Sequence, residues 1–305
     1  MSGAQDDLSV VVCTHNPRQD YLHSALEALR AQTLSAEQWE LVVVDNASDP
    51  PLQGTVPLAW HPRARVVREE RVGLTAARLR GFAETSGALC VLVDDDNDLA
   101  PDYLAQAAAI AAEWTILGAW GGQTLPGWER EPEPWTRPFW PMLGVREFAE
   151  DRWSNVLGGK QPVPIGAGMC VRRSVVDRYR EYLAHDERRA ALDRTGTQLL
   201  SGGDIDLALT SLDLGLGTGL FARLKLVHRM PPRRTEEVYL RELVDGLEYS
   251  AVILNSFRGR HPVMPSRSQR FARWLEAWTL DRRARAFAQT AQAARARAAR
   301  AAKHP

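Results

Sequence analysis

The sequence predicts an α/β fold on a mainly parallel central sheet, followed by a helical C-terminal extension. Two observations carry that prediction. Short β-branched runs alternate with stretches of helical apolar spacing over the first hundred residues, the pattern of βαβ units. In addition, 45% of the 305 residues are hydrophobic, enough for a real core and too many for wholesale disorder.

Leu8–Cys13 (LSVVVC) is the first strand, and Leu22, Ala25, Leu26 and Leu29 mark a helix over Tyr21–Arg30. Strands follow at Leu41–Val44, Arg63–Val67 and Ala88–Val93, with a helix over Leu74–Thr85 between the last two. Pro101 opens a further helix to about Glu113. From Trp114 to Pro164 the periodicity breaks down, and six of the ten tryptophans (114, 120, 128, 135, 140, 153) fall there among many prolines. Such a stretch inside a compact domain reads as a lid or substrate-binding loop. Order resumes with a strand at Ile165–Val171 and a helix from Ser174, then a charged, exposed connection over His185–Thr197. Ser201–Asp206 opens a helix to about Leu214, and a short β segment at Leu220–Val227 delivers His228.

The 38 basic and 38 acidic side chains give a net charge of zero that hides a split. Arg258–Pro305 holds eleven Arg and Lys303 against Glu276 and Asp281, so an acidic body carries a basic tail. Cys13, Cys90 and Cys170 are too few and too scattered for a disulfide framework or zinc cluster and read as small buried residues. No run approaches the roughly 18 to 20 apolar residues of a membrane span, and Met1–Asp7 lacks the features of a signal peptide. The expectation is a soluble, cytoplasmic protein.

Ligands of such sheets gather outside the carboxyl ends of the strands. There the sequence places Thr14-His15-Asn16-Pro17, Asp45-Asn46-Ala47-Ser48-Asp49 and Asp94-Asp95-Asp96-Asn97-Asp98. Three adjacent carboxylates in a low-dielectric cleft repel one another unless a cation intervenes, and hard oxygen ligands suit Mg²⁺ or Mn²⁺. A solvated acidic turn before the helix at Pro101 is the plain alternative.

These motifs, in this order and with the helix start Val72-Gly73-Leu74-Thr75-Ala76-Ala77-Arg78, resemble the family 2 glycosyltransferases of the GT-A nucleotide-sugar fold. The family's later Gly-Glu-Asp-x-Asp-Leu segment stands here as Gly202-Gly203-Asp204-Ile205-Asp206-Leu207, and His228 matches its downstream His. The resemblance covers about Leu8 to Arg258. It implies a domain over 1–257, with 1–113 the nucleotide-binding half and 114–257 the acceptor and catalytic half, and a basic helical extension over 258–305. It implies an inverting transferase moving a sugar from a UDP-, dTDP- or GDP-sugar to an acceptor hydroxyl, in surface polysaccharide or glycolipid synthesis.

Position by position, Asp45 resembles the carboxylate that contacts the base, with Thr14 and Asn16 in the turn lining that pocket. Arg78 resembles the basic residue facing the nucleotide. Asp94, with Asp95, corresponds to the ribose and metal side of the DxD motif, Asp96 to the direct metal ligand, and His228 to the residue completing the metal shell. Asp204 resembles the catalytic base, and its place before a helix fits a plain N-cap as well. Gly203 departs from the family, which commonly has Glu before the base. That departure keeps open a nucleotide-sugar-binding protein without transfer. Another Rossmann-like transferase, such as a methyltransferase, is opposed by the lack of a Gly-rich loop after the first strand. Trp128, Trp135 and Trp140 are candidates to stack on an acceptor sugar, with Asp206 beside the base, whereas Trp120 reads as core.

In the tail, Phe271, Trp274, Leu275 and Trp278 form one apolar helical stripe. The segment either packs on the body or meets anionic lipid beside a lipid-linked acceptor. Nucleic acid is disfavoured because no basic surface is evident on the body.

Overall fold

The computed structural model describes residues 8–158, 161–194, 199–260 and 281–302. Its first strands are β1 (Leu8–Thr14), β2 (Trp39–Asn46), β3 (Ala64–Glu69) and β4 (Leu89–Asp94), all mutually parallel. The short β5 (Asn97–Leu99), β6 (Leu117–Trp128), β7 (Arg152–Ser154), β8 (Cys170–Arg172) and β9 (Gly217–Met230) complete one sheet. Its order is β3-β2-β1-β4-β8-β6-β9-β5, with β7 also on β9. β6 and β9 run parallel, while β8, β5 and β7 pair antiparallel.

The apolar runs of β1 and β2 are explained by burial on both faces. Side chains alternate across a strand. Val10, Val12, Leu41 and Val43 therefore face α1 (Gln19–Arg30) and α3 (Tyr103–Glu113), whereas Val11, Val42 and Val44 face α2 (Leu74–Glu84), α4 (Arg173–His185) and α6 (Gly203–Asp213). Gly81 lets α2 press onto β1, because a Cβ there would run into Val11 Cγ1. Trp120 is fully buried in the first of these clusters, and all three cysteines are buried and free. Burial pushes the Cys13 and Cys90 thiols up to about 12, so neither is a nucleophile near neutrality.

Three expectations need correction. Residues 117–128 are a long strand, although LGAWGGQTLPGW carries four glycines and a proline. The reason is close contact: a Cβ on Gly122 would collide with the backbone of Leu224 in β9, and the β6–β9 ladder shifts register at Leu117/Ala119 and Gly121/Gln123. The strand expected over 165–171 shrinks to Cys170–Arg172, since Gly166–Gly168 turn instead. The connection after α4 is not exposed throughout, because beyond a short α5 (Glu187–Ala190) Leu192 and Asp193 are buried. Its residues 195–198 lie outside the described residues.

α7 (Glu237–Phe257) is followed by α8 (Arg282–Ala301), which lies along it. Phe287, Ala294 and Ala298 of α8 are buried. Arg283, Arg295 and Arg297 pair with Glu237, Glu248 and Asp245 of α7. The apolar stripe from Phe271 to Trp278 lies outside the described residues. Phe287 stacks on Phe139 with centroids 4.3 Å apart, joining the tail to the aromatic segment of the body. Phe287→Ala is expected to lower unfolding stability by about 3 kcal/mol, read as a shifted urea midpoint. An unchanged midpoint would mean that α8 does not pack there in solution.

Candidate active site

A cleft of about 840 Å³ opens at the carboxyl ends of β1, β2 and β4. Its walls include Thr14, Asn46 and Asp94–Asp96 from the strand ends, Arg78 from α2, and Asp204 at the start of α6. Residues 141–144, Arg146, Gly166, His228 and Arg234 close it.

The acidic wall is assembled by pairing. β5 turns directly out of the Asp94–Asp96 run and pairs antiparallel with β9, setting Asn97 opposite His228. His228 Nε2 then lies 3.3 Å from Asp96 Oδ2. Arg234 Nη2 donates to the same oxygen at 2.9 Å, and Asn97 Nδ2 donates to Asp96 Oδ1 at 2.9 Å. Thr14 Oγ1 donates to Asp95.

The three carboxyls differ accordingly. Burial and the neighbouring Asp96 raise Asp94, and the same two effects lift Asp95 to about 7 against the Thr14 hydrogen bond. Burial pushes Asp96 up as well, but His228 and Arg234 outweigh it and hold that carboxyl well below its usual range. The charge is thus concentrated on Asp96.

Asp96 offers carboxylate oxygens suited to a hard divalent cation, and His228 sets an imidazole nitrogen beside them. His228 Nδ1 is buried without a hydrogen-bond partner among the described residues. No group of three or more His, Cys, Asp or Glu among the described residues is arranged to hold an ion unaided. The donor set therefore fits a cation that takes further ligands from a diphosphate and water, the usual habit of Mg²⁺.

Asp204 projects from the first turn of α6 on another wall. Its Oδ2 accepts from Gly166 N at 2.8 Å and its Oδ1 from Ile205 N at 2.8 Å, so backbone amides hold it. Arg78 stands between the two acidic sites. Burial opposes its charge, but Asp193, Asp204 and Asp94 more than offset this and keep the guanidinium protonated.

Residues 9–180, more than half of the chain, match the sequence profile of glycosyl transferase family 2. The chain belongs to that family. A glucosyl-dolichyl phosphate glucuronosyltransferase of Haloferax volcanii is 28% identical over 145 residues, which is 46% of this chain and 45% of that protein. The chain spans under half the length of the curated relatives that it matches. Among solved structures, Staphylococcus aureus TarS in complex with UDP-GlcNAc superposes with a TM-score of 0.53 at 16% identity, over 82% of this chain and 67% of that one. GalNAc-T7 with UDP, GalNAc and Mn²⁺ gives 0.53 at 15% identity, over 85% and 51%. These likenesses show the GT-A fold.

Within this family 2 cleft, Thr14, Arg78, Asp94, Asp95, Asp96, Asp204 and His228 come together. Asp45 does not line it. Its carboxylate is fully buried, accepting from Ser48 N and Leu52 N at 3.0 Å each and from Arg68 at 2.8 Å, and so it braces the loop after β2. The neighbouring Asn46 reaches the wall instead, because successive strand residues point to opposite sides. Asn16 joins the two turns: its backbone N–H donates to Ser48 Oγ at 2.9 Å and its Oδ1 accepts from Asp49 N at 2.8 Å. His15 lines the cleft, with Nδ1 2.5 Å from Asn46 O.

Asp206 is fully buried away from the cleft, with both carboxylate oxygens on Arg189 at 2.9 and 3.0 Å. Trp128, Trp135 and Trp140 lie half-buried against Leu143, Leu240 and Phe287, behind the 141–144 wall. Arg234, Arg146 and Asp193 also line the cleft, and none of them belongs to one of the sequence motifs. The Arg233-Arg234 pair shortly after His228 is a readable signal, whereas a single Asp in a charged connection is not.

Two outcomes follow from these contacts. Between pH 3.8 and about 7, folded Asp95 keeps a proton that the unfolded chain has released. The stability it contributes is complete below that window and lost as pH rises through about 7. The metal-free wild type should therefore lose urea stability relative to Asp95→Asn from pH 5 to pH 7.5, and parallel midpoints would refute the shift. Asp206→Ala leaves Arg189 without its buried partner and should cost about 3 kcal/mol of stability. Nucleotide-induced thermal stabilisation should remain, and its loss would return Asp206 to the site.

Proposed function

We propose that this family 2 chain is an inverting glycosyltransferase, moving a sugar from a nucleotide diphospho-sugar to an acceptor hydroxyl. The observation that carries the reading is one cleft holding both an acidic wall paired to His228 and Arg234 and an amide-held carboxylate, Asp204, on another wall. Transfer needs a stabilised leaving group and an acceptor relieved of its proton.

Arg78 and Arg234 supply positive charge where a diphosphate would lie. Asp204 takes the proton of the acceptor hydroxyl as its oxygen attacks the anomeric carbon, and the bond from that carbon to the diphosphate breaks. One base and no covalent intermediate invert the anomeric centre. Asp96 and His228 would hold Mn²⁺ or Mg²⁺, which supplies further neutralisation of the departing diphosphate. Support for this reading comes from the cation bound in GalNAc-T7 and the nucleotide-sugar bound in TarS.

The Haloferax relative acts on a glucosyl-dolichyl phosphate. A lipid-linked sugar or growing polysaccharide is accordingly the proposed acceptor, met at the cytoplasmic face of a membrane. No described helix is long and apolar enough to cross one.

A thermal-shift panel of UDP, dTDP and GDP with and without Mn²⁺ tests the donor class. Stabilisation by one of them, with Mn²⁺-dependent release of that diphosphate from its sugar, is expected. Asp204→Asn should keep the shift and lose turnover by about a hundredfold or more. Stabilisation by S-adenosylmethionine alone, or full turnover in Asp204→Asn, would overturn the assignment.

A further inference from the structure

Gly203 stands directly before Asp204, where the resemblance drawn from the sequence commonly has Glu. The space that such a side chain would enter is already filled. A Cβ on residue 203 would lie 2.6 Å from Asp193 Oδ2 and 3.0 Å from its Cγ. A carboxylate therefore already lies against that position, delivered from the segment after α5.

Asp193 is 3% exposed. It accepts from Arg78 Nη1 at 3.0 Å, with Thr75 Oγ1 at 3.4 Å. Arg78 is itself buried, and its other terminal nitrogen presses on Gly166, where no Cβ would fit. The Gly166 amide in turn donates to Asp204 Oδ2 at 2.8 Å. One line of contacts thus runs from Asp193 through Arg78 and Gly166 to Asp204. Removing the carboxylate partner of a buried guanidinium leaves an uncompensated buried charge. Deprived of Asp193, Arg78 faces Asp204 and Asp94 as its remaining acidic neighbours, and pairing with either would disturb the site.

We propose that Asp193 is a positioning residue of this cleft: from another segment of the chain it takes the place open to a carboxylate at residue 203. There it holds Arg78 against Gly166 and leaves Asp204 for the acceptor. Gly203 and Asp193 are then one exchange, and the departure from the family pattern is a relocation of charge. This role rests on the transferase reading above.

The test moves the carboxylate back. Full chains carrying Asp193→Ala, Asp193→Asn, Gly203→Glu, and Asp193→Ala with Gly203→Glu are compared for kcat and KM with UDP-, dTDP- and GDP-sugars. Nucleotide binding by calorimetry and thermal unfolding are measured alongside. Each single variant should lose about tenfold or more in kcat. Gly203→Glu does so by crowding two carboxylates, and the Asp193 variants do so by releasing Arg78. The double variant should recover most of that loss, because substitutions in contact are coupled.

Asp193→Asn preserves the shape without the charge and keeps the test valid if Asp193→Ala does not fold. Full activity in Asp193→Asn would overturn the proposal. So would a folded double variant that regains its melting temperature while its kcat stays at the level of the singles. A wild-type chain that binds a nucleotide diphosphate but releases none from any donor would overturn the transferase reading, and this role with it.

Discussion

Crowded carboxylates in a recessed cleft are the constraint on which this structure turns. Asp94, Asp95, Asp96, Asp193 and Asp204 share one cavity, and each needs a proton, a cation or a hydrogen-bond donor to remain there. The chain answers with groups drawn from separate elements: Arg78 from α2, His228 from β9 and Arg234 from the turn after it. Asp96, which faces two of them, is held ionised. Asp95, whose chief polar partner is the neutral Thr14, keeps a proton toward neutrality. The division of labour among the three aspartates is thus set by what β9 and α2 bring opposite them.

The acidic body and basic tail are likewise less separate than their totals suggest. Three arginines of α8 pair with three acids of α7. Arg258, the first residue of the basic stretch, reaches back to Asp213 at 3.1 Å and to the buried Asp206 at 3.5 Å. Arg258, Arg283, Arg295 and Arg297 of the described tail thus pair with acids of the body. Exposed pairs of this kind contribute only about 0 to 1 kcal/mol each, so the buried face around Phe287 carries most of the attachment.

Much of the fold was legible, and the misses share one cause. β1, β2 and β4 announce themselves because strands buried on both faces must be continuously apolar, and α1 to α3 because helices must show a 3.6-residue period. β6 defeats the same rule: Gly122 admits the backbone of β9, a partner about a hundred residues away along the sequence, and Gly118 makes room for Ser211 of α6. The site divides in the same way. Thr14, Arg78, Asp94 to Asp96, Asp204 and His228 follow from motifs at strand and helix ends. Asp45 shares those motifs, yet it braces its loop while Asn46 takes the wall, a difference of one residue that only side-chain direction decides.

By itself the sequence determined the α/β class, the order of the strand ends, and the kind of chemistry gathered there, because periodicity and motif spacing are local properties. The tertiary structure alone decided which charges meet. Local spacing does not reveal that β5 lies beside β9, that Arg234 shares Asp96 with His228, or that Asp193 fills the room beside Gly203. Those neighbours are fixed by packing between distant segments, where burying a charge without a partner costs more than any local propensity can return.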